Sequence, residues 1–331
     1  MIKQQKHRYA SLISHIALTL FATHGLIYLL GRVVSFSYAL TLVSYGNVFL
    51  VDIIFLIINC IKALACLFVP LKLFEYLRRN AFVEKYLPVE HEVEPFDKIA
   101  AIFVLGLAAN YILAWLNILA VDVAVSMEYL GENEEYILGS GLDHPYQIVI
   151  YIISTAVIPA IAEEYVFRKT ICKSLMPYGP KTAVLVSAIL FGLMHTTLHK
   201  VGFTFVGGIF LGWLYIASKD IKIPMLFHFI HNFMSCVGVI IGYKVSNEAY
   251  AIFIIIYSII LMVAGTIAFS RLKAARNEQE EVVVMLSDEE GNEVKPLSTS
   301  EKVTGFFTPL MIAFIVATII QMIYYLSFKL V

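Results

Sequence analysis

Two adjacent carboxylates, Glu163 and Glu164, sit in the run Ile158-Pro-Ala-Ile-Ala-Glu-Glu-Tyr-Val-Phe-Arg168, whose other residues are almost all apolar. On a helix Glu164 and Arg168 are four apart and stack on one face, in the carboxylate-then-cation order that helices favour. Glu163 then points about 100° away, outside that pair and available as a base for proton abstraction. Pro159 removes a backbone hydrogen bond just upstream, so a kink that opens polar backbone is expected there. Two further apolar stretches carry imidazoles. One is Phe191-Gly-Leu-Met-His195, with His199 a turn further on; the other is His228-Phe-Ile-His-Asn232, in which His228 and Asn232 share a face and His231 lies nearby. Together the three segments offer a carboxylate base, imidazoles and a carboxamide, the groups that peptide hydrolysis requires.

The elements that must position these groups are membrane-spanning. Of 331 residues, 60% are hydrophobic and 15% charged, and the mean hydropathy is +0.80, whereas a soluble domain carries about 25% charged residues. A soluble globular protein is therefore excluded, and the lipid bilayer is the expected surrounding partner. Lys and Arg number 24 against 25 Asp and Glu, for a formal net charge of -1, so there is no basic footprint for nucleic acid. Apolar runs at 9–30, 47–73, 98–122, 146–172, 182–198, 201–218, 223–243, 249–270 and 306–328 predict an all-α, polytopic transmembrane helix bundle. The expected count is nine spans, or eight if the short fifth or sixth is incomplete. The chain divides into N-terminal spans over 1–145, a core carrying the candidate site over 146–243, and C-terminal spans over 244–331 that include an acidic insertion at 271–303.

Basic residues set the expected orientation, because cytoplasmic loops near span ends are enriched in them. Lys3, Lys6 and Arg8, then Arg78, Arg79, Lys85 and Lys98, then Lys169, Lys173 and Lys181, then Lys219 and Lys222, then Arg271, Lys273 and Arg276 fall on one side, and alternate loops hold only Arg32, Lys200 and Lys244. A cytoplasmic N-terminus follows, with the apolar run from Tyr9 to Leu30 an uncleaved first span. Within the insertion, 281–286 and 293–295 flank the turn-rich Ser287-Asp-Glu-Glu-Gly-Asn292, which suits a small hairpin. Cys60, Cys66, Cys172 and Cys236 have no paired spacing and read as packing residues.

Glu-Glu-x-x-x-Arg, Phe-x-x-x-His and His-x-x-x-Asn, in this order on successive helices, resemble the three motifs of the CAAX protease and bacteriocin-processing (CPBP) family of intramembrane glutamic endopeptidases, which includes the type II CAAX prenyl endopeptidases. The matching residues are Glu163, Glu164 and Arg168, then Phe191 and His195, then His228 and Asn232, and the resemblance covers roughly 146–236. One departure is Lys169, where many members have Gly. The resemblance implies a hydrolase that forms no covalent intermediate. Glu163, assisted by His195, would activate a water; His228 and Asn232 would hold the oxyanion; Glu164 and Arg168 would orient the site. The substrate would be a membrane-associated protein or peptide, and the family's roles extend to processing of prenylated proteins, peptide maturation and bacteriocin self-immunity.

No cofactor is expected under this reading. The chemical alternative uses Glu163, His195 and His228 as ligands of a catalytic zinc, although His-Glu-x-x-His is absent and Asn232 would have no role. A scaffold or immunity protein would use the same polar groups as interhelical hydrogen bonders, and a transporter would string its acids across the membrane instead of clustering them. Other embedded polar residues read as packing groups: Asp52 near the outer end of its span, Lys62 snorkelling, and His15, His24, Asn110 and Asn117 as interhelical hydrogen bonders. Gly208-x-x-x-Gly212 is expected to be a close-packing seam against the helices of the site.

Overall fold

The computed structural model describes residues 2–45, 48–79, 93–122, 142–195, 198–276, 286–287, 293–294 and 296–327. The helices are α1 (Ile2–Tyr45), α2 (Val48–Arg78), α3 (Phe96–Asp122), α4 (Pro145–Tyr178), α5 (Pro180–Met194), α6 (Leu198–Ser218), α7 (Lys222–Lys244), α8 (Asn247–Arg276), α9 (Thr299–Phe306) and α10 (Pro309–Ser327). Nearly continuous apolar sequence explains why helices form: away from water each backbone polar group must be bonded within its own segment. The multi-pass helical architecture expected from composition is what the chain adopts. The only strands among the described residues are β1 (Leu286–Ser287) and β2 (Glu293–Val294), paired antiparallel with Leu286 opposite Val294, within the segments expected to form a hairpin.

The expected count of nine spans is too high. Among the described residues six helices are long and apolar enough to cross a membrane, namely α1, α3, α4, α6, α7 and α8, and α9 with α10 make a seventh if that pair, bent by 66°, is one span. α5 has only 15 residues, about 22 Å of helix against a hydrocarbon core of about 30 Å, and is too short to count as a span. α2 is a helix of 31 residues, but it is not among the six, and several of its side chains, Lys62 and Cys66 included, lie outside the described set. The side chains of Asn117 and His199 and the acidic stretch between α3 and α4 also lie outside it.

Two local features fold the central helices against one another. Gly179 joins α4 to α5 at φ 106 and ψ 142, a left-handed φ that a residue with a Cβ avoids. Pro180 follows at the first helical position, where its missing N–H costs nothing and its fixed φ starts the next helix. The turn lays α5 back along α4. α6 then packs on α5 through glycine: a Cβ at Gly208 would lie 3.0 Å from Ala188 Cα, and one at Gly212 would lie 3.1 Å from Val184 Cγ1. Gly192 of α5 returns the contact, with Val201 O 3.1 Å from where its Cβ would be. The Gly208/Gly212 seam is therefore present and sits against the helix that carries Phe191 and His195. Around this centre, Leu12, Ile13, Ile16 and Leu20 of α1 join Phe167, Ile171 and Leu175 of α4, Leu190 of α5, Leu214 of α6 and Phe314 of α10 in one buried cluster.

The seam generates a test. Gly208→Val forces side-chain atoms onto the backbone of α5, an overpacking that costs about 1–3 kcal/mol. Gly202→Ala, at a glycine with nothing within 4 Å of a Cβ, gains helix propensity of about 0.5–1 kcal/mol. Thermal unfolding in detergent should therefore fall for the first and hold or rise for the second. Equal melting of Gly208→Val and wild type would remove the close seam.

Candidate active site

α4 is not a uniform α-helix. π-helical turns at Ile153–Val157 and Tyr165–Cys172 flank a short α segment, Ile158–Glu164, that ends on the paired acids. Such insertions change which side chains share a face and recur at functional sites. Pro159 has no N–H to give the carbonyl of Thr155, four residues earlier, and that carbonyl accepts a hydrogen bond from Asn232 Nδ2 of α7 at 3.2 Å. The expectation that Pro159 would open polar backbone is met at this carbonyl. At its N-terminal end α4 is held by Asp52 of α2, whose buried carboxylate accepts from Tyr146 Oη and Gln147 Nε2, each at 3.0 Å. Negative charge beside a helix N-terminus is favourable, so Asp52 joins α2 to α4, in keeping with its expected packing role.

Glu164 is the hub of the buried polar groups. Its side chain and that of Arg168 are both 0% exposed, with Arg168 Nε 2.9 Å from Glu164 Oε2. The expected stacking at i, i+4 is thus present. On its other oxygen, Glu164 Oε1 lies 2.9 Å from His228 Nδ1 of α7. Arg168 Nη1 donates to Ser187 Oγ of α5 at 3.0 Å, and Ser187 Oγ donates to the Phe167 carbonyl at 2.8 Å. The Arg168 guanidinium also lies 4.8 Å from the ring centre of Phe191, a cation–π contact that strengthens away from water. Helices α4, α5 and α7 are therefore linked through one chain of polar contacts that begins at the Phe167 carbonyl and ends at His228.

Glu163 is placed differently. Its side chain is 35% exposed, and Oε2 makes no hydrogen bond although it lies 3.9 Å from His228 Nε2. His195 follows the last residue of α5, in the stretch where helix carbonyls lose their intrahelical donors. It meets that need itself, with Nδ1 donating to the Phe191 carbonyl at 2.9 Å. The hydrogen on Nδ1 makes Nε2 the lone-pair nitrogen of the neutral ring. His195 is within electrostatic reach of Glu163 and His228. Phe191 meets both rings edge to face, with centroids 4.9 Å from His195 and 5.9 Å from His228.

All seven motif residues thus gather where α4, α5 and α7 meet. Asn232 carries two amide hydrogens and the bond to Thr155 uses one of them. Lys169, the departure from the family pattern, folds its ammonium over Tyr165 at 4.5 Å from the ring centre and joins no motif residue. His231 is set apart from the motif pair: its ring nitrogens lie 3.3 and 3.4 Å from Asn110 Nδ2 of α3, and Gly207 of α6 leaves room for that amide. Asn110 is accordingly an interhelical hydrogen bonder, as is His24, whose Nε2 meets Gln321. Ser187 was the residue that motif reasoning passed over. It is the one polar side chain between Ala183 and Met194 and lies four residues before Phe191, hence on its face.

Residues 145–234 match the Rce1-like family, described as "Type II CAAX prenyl endopeptidase Rce1-like". The resemblance seen in the three motifs is borne out over that stretch. The chain is also 32% identical to "Putative membrane peptidase YdiL" of Bacillus subtilis (strain 168), over 31% of this chain and 46% of the relative. The chain thus spans about half the length of the curated relative it matches. No solved structure matches the chain.

The two acids should separate in stability measurements. Ser187→Ala leaves a buried guanidinium N–H without its acceptor, at a cost of about 1–3 kcal/mol. Glu163→Gln removes a carboxylate that holds no hydrogen bond at Oε2 and should leave the melting temperature within a few degrees of wild type or raise it. If Glu163→Gln melts well below Ser187→Ala, Glu163 is not the uncommitted acid.

Proposed function

We propose that the chain is an intramembrane endopeptidase of the CPBP type, hydrolysing peptide bonds of membrane-associated proteins or peptides. The observation that carries this reading is the placement of Glu163: a partly exposed carboxylate beside His195 and His228, adjacent in sequence to one that is fully buried and paired. A glutamate free of committed partners can take a proton from water, with His195 orienting the nucleophile through its other ring nitrogen. The water oxygen then attacks the scissile carbonyl carbon. His228 and the remaining amide hydrogen of Asn232 face the developing oxyanion, and donors of this kind act most strongly where water is excluded. The proton held by Glu163 passes to the amide nitrogen as the C–N bond breaks. No group of the enzyme is acylated, so atoms balance with one water consumed per bond.

Zinc held by Glu163, His195 and His228 remains the chemical alternative. Nδ1 of each imidazole is already bonded, to the Phe191 carbonyl and to Glu164 respectively, so each ring would have only Nε2 to offer. Among the described residues no group of three or more His, Cys, Asp and Glu side chains is arranged to hold a metal ion.

Comparison of protein termini in membranes from cells producing the wild type or Glu163→Ala tests the reading. New termini should appear with the wild type and vanish with Glu163→Ala. Once a substrate is known, His195→Ala and His228→Ala should each reduce turnover by about 10²–10⁴-fold while the protein remains folded. Prolonged chelation should leave activity unchanged; abolition by a chelator with restoration by zinc would favour the metal site. Near-normal turnover by Glu163→Ala would end the glutamate mechanism.

The orientation follows from the distribution of Lys and Arg, with the N-terminus and the α6–α7 connection on the cytoplasmic side. Single cysteines at the exposed first residue of α7 and at the exposed residue that follows its last, Lys222→Cys and Val245→Cys, should respond oppositely to an impermeant thiol reagent. External reagent should modify Val245→Cys in intact cells and Lys222→Cys only after permeabilisation. The reverse pattern would invert the topology.

A further inference from the structure

Both oxygens of the Glu164 carboxylate are engaged within a fully buried environment, Oε2 by Arg168 Nε and Oε1 by His228 Nδ1, each at 2.9 Å. An ionised carboxylate has no hydrogen to give, so His228 Nδ1 carries one. That assignment restricts the other nitrogen. A neutral imidazole with hydrogen on Nδ1 offers only a lone pair at Nε2, and Nε2 lies 3.9 Å from Glu163 Oε2, itself an acceptor when ionised. In that state His228 could not donate to an oxyanion.

Charge leads to the same restriction. With His228 neutral, Glu163, Glu164 and Arg168 sum to one excess negative charge in a site whose hub is sealed from solvent. With a second proton on His228 the four groups sum to zero, and the ring then stands as a cation between two carboxylates, the buried Glu164 at 2.9 Å and the partly exposed Glu163 at 3.9 Å. The ionisable groups that face His228 are Glu163, Glu164 and Arg168 from α4, His195 from α5, and His231 from its own helix. Nδ1 of His195 meets the Phe191 carbonyl and the His231 ring meets the Asn110 amide, whereas Nδ1 of His228 meets the buried Glu164 carboxylate.

We propose that Glu164 is a positioning residue that fixes the Nδ1–H form of His228 and holds the ring as an imidazolium at neutral pH, so that the oxyanion donor is a cation. The donor role rests on the proteolytic reading above; the protonation state does not. The proton on Nε2 is present before substrate arrives, and Glu163 supplies the second counter-charge at the edge of the site. When Glu163 takes the proton of the attacking water it loses its negative charge as the oxyanion gains one. The positive His228 thereby exchanges one anionic neighbour for another without any change in the net charge of the site.

The test is nitrogen NMR on full-length protein labelled with ¹⁵N-histidine in nanodiscs at pH 7, with His228→Gln identifying the His228 signals. In the wild type both ring nitrogens of His228 should be protonated. In Glu163→Gln, which removes one of the two negative charges, the Nε2 proton should be lost while that on Nδ1 remains. In Glu164→Gln, where it folds, the imidazolium signal should likewise disappear. A wild-type ring with one protonated and one bare nitrogen overturns the proposal, as does an imidazolium that persists unchanged in Glu163→Gln. The readout needs no turnover: an imidazolium in a protein that cleaves nothing would defeat the proteolytic reading alone, and a neutral ring in an active protease would defeat this proposal alone.

Discussion

The contact on which the rest of the site depends is the ion pair between Glu164 and Arg168, two side chains with no exposure at all. Charges removed from water lose several kcal/mol each of solvation, and mutual attraction offsets this only when geometry is good and the remaining hydrogen-bonding capacity is met. One helical turn supplies the attraction. Two other helices supply further partners, Ser187 on α5 to Arg168 Nη1 and His228 on α7 to Glu164 Oε1, while Arg168 Nη2 is buried without a hydrogen bond among the described residues. The buried pair therefore requires that α4, α5 and α7 lie together at one depth. Gly179, which turns α5 back onto α4, and Gly208 and Gly212, which bring α6 against α5, are the backbone conditions that make this approach possible.

Commitment of one acid releases the other. Glu163 and Glu164 are neighbours in sequence, so they leave the helix in different directions, and only one can enter the polar chain that runs from the Phe167 carbonyl to His228. Glu163 is left at the edge, partly exposed and close to two imidazoles. The π-helical turns on either side of the segment are part of the same arrangement. With Pro159 between them, they leave the Thr155 carbonyl to accept from Asn232, and so tie the other polar side chain of the His228 face to α4.

Much of this was legible in the sequence, for identifiable reasons. The pairing at i, i+4 follows from helix geometry once a helix is granted, and the apolar runs grant it. The Gly208/Gly212 seam and the hairpin within the acidic insertion rest on equally local rules, and both appear. The span count did not follow, because hydropathy registers how apolar a stretch is and not where its helix ends: α5 stops at Met194, only 15 residues from its start. Contacts between distant parts of the chain were the least legible. Neither the 19-residue separation of Arg168 from Ser187 nor the 64-residue separation of Glu164 from His228 carries a periodic signal. The assignment of His228 as partner to both acids instead of an unattached oxyanion donor needed the three-dimensional arrangement.

The measurement that bears most directly on this account is a double-mutant cycle on the buried pair, reading unfolding free energy in a bilayer mimic for wild type, Glu164→Gln, Arg168→Met and the double variant. Each single change should cost about 3–5 kcal/mol, because it leaves its partner as an uncompensated buried charge. The double variant should lose much less than the sum of the two, giving a coupling energy of more than about 1 kcal/mol. Two small, additive losses would contradict the account, since they would mean that the pair neither bears buried charge nor draws the three helices together.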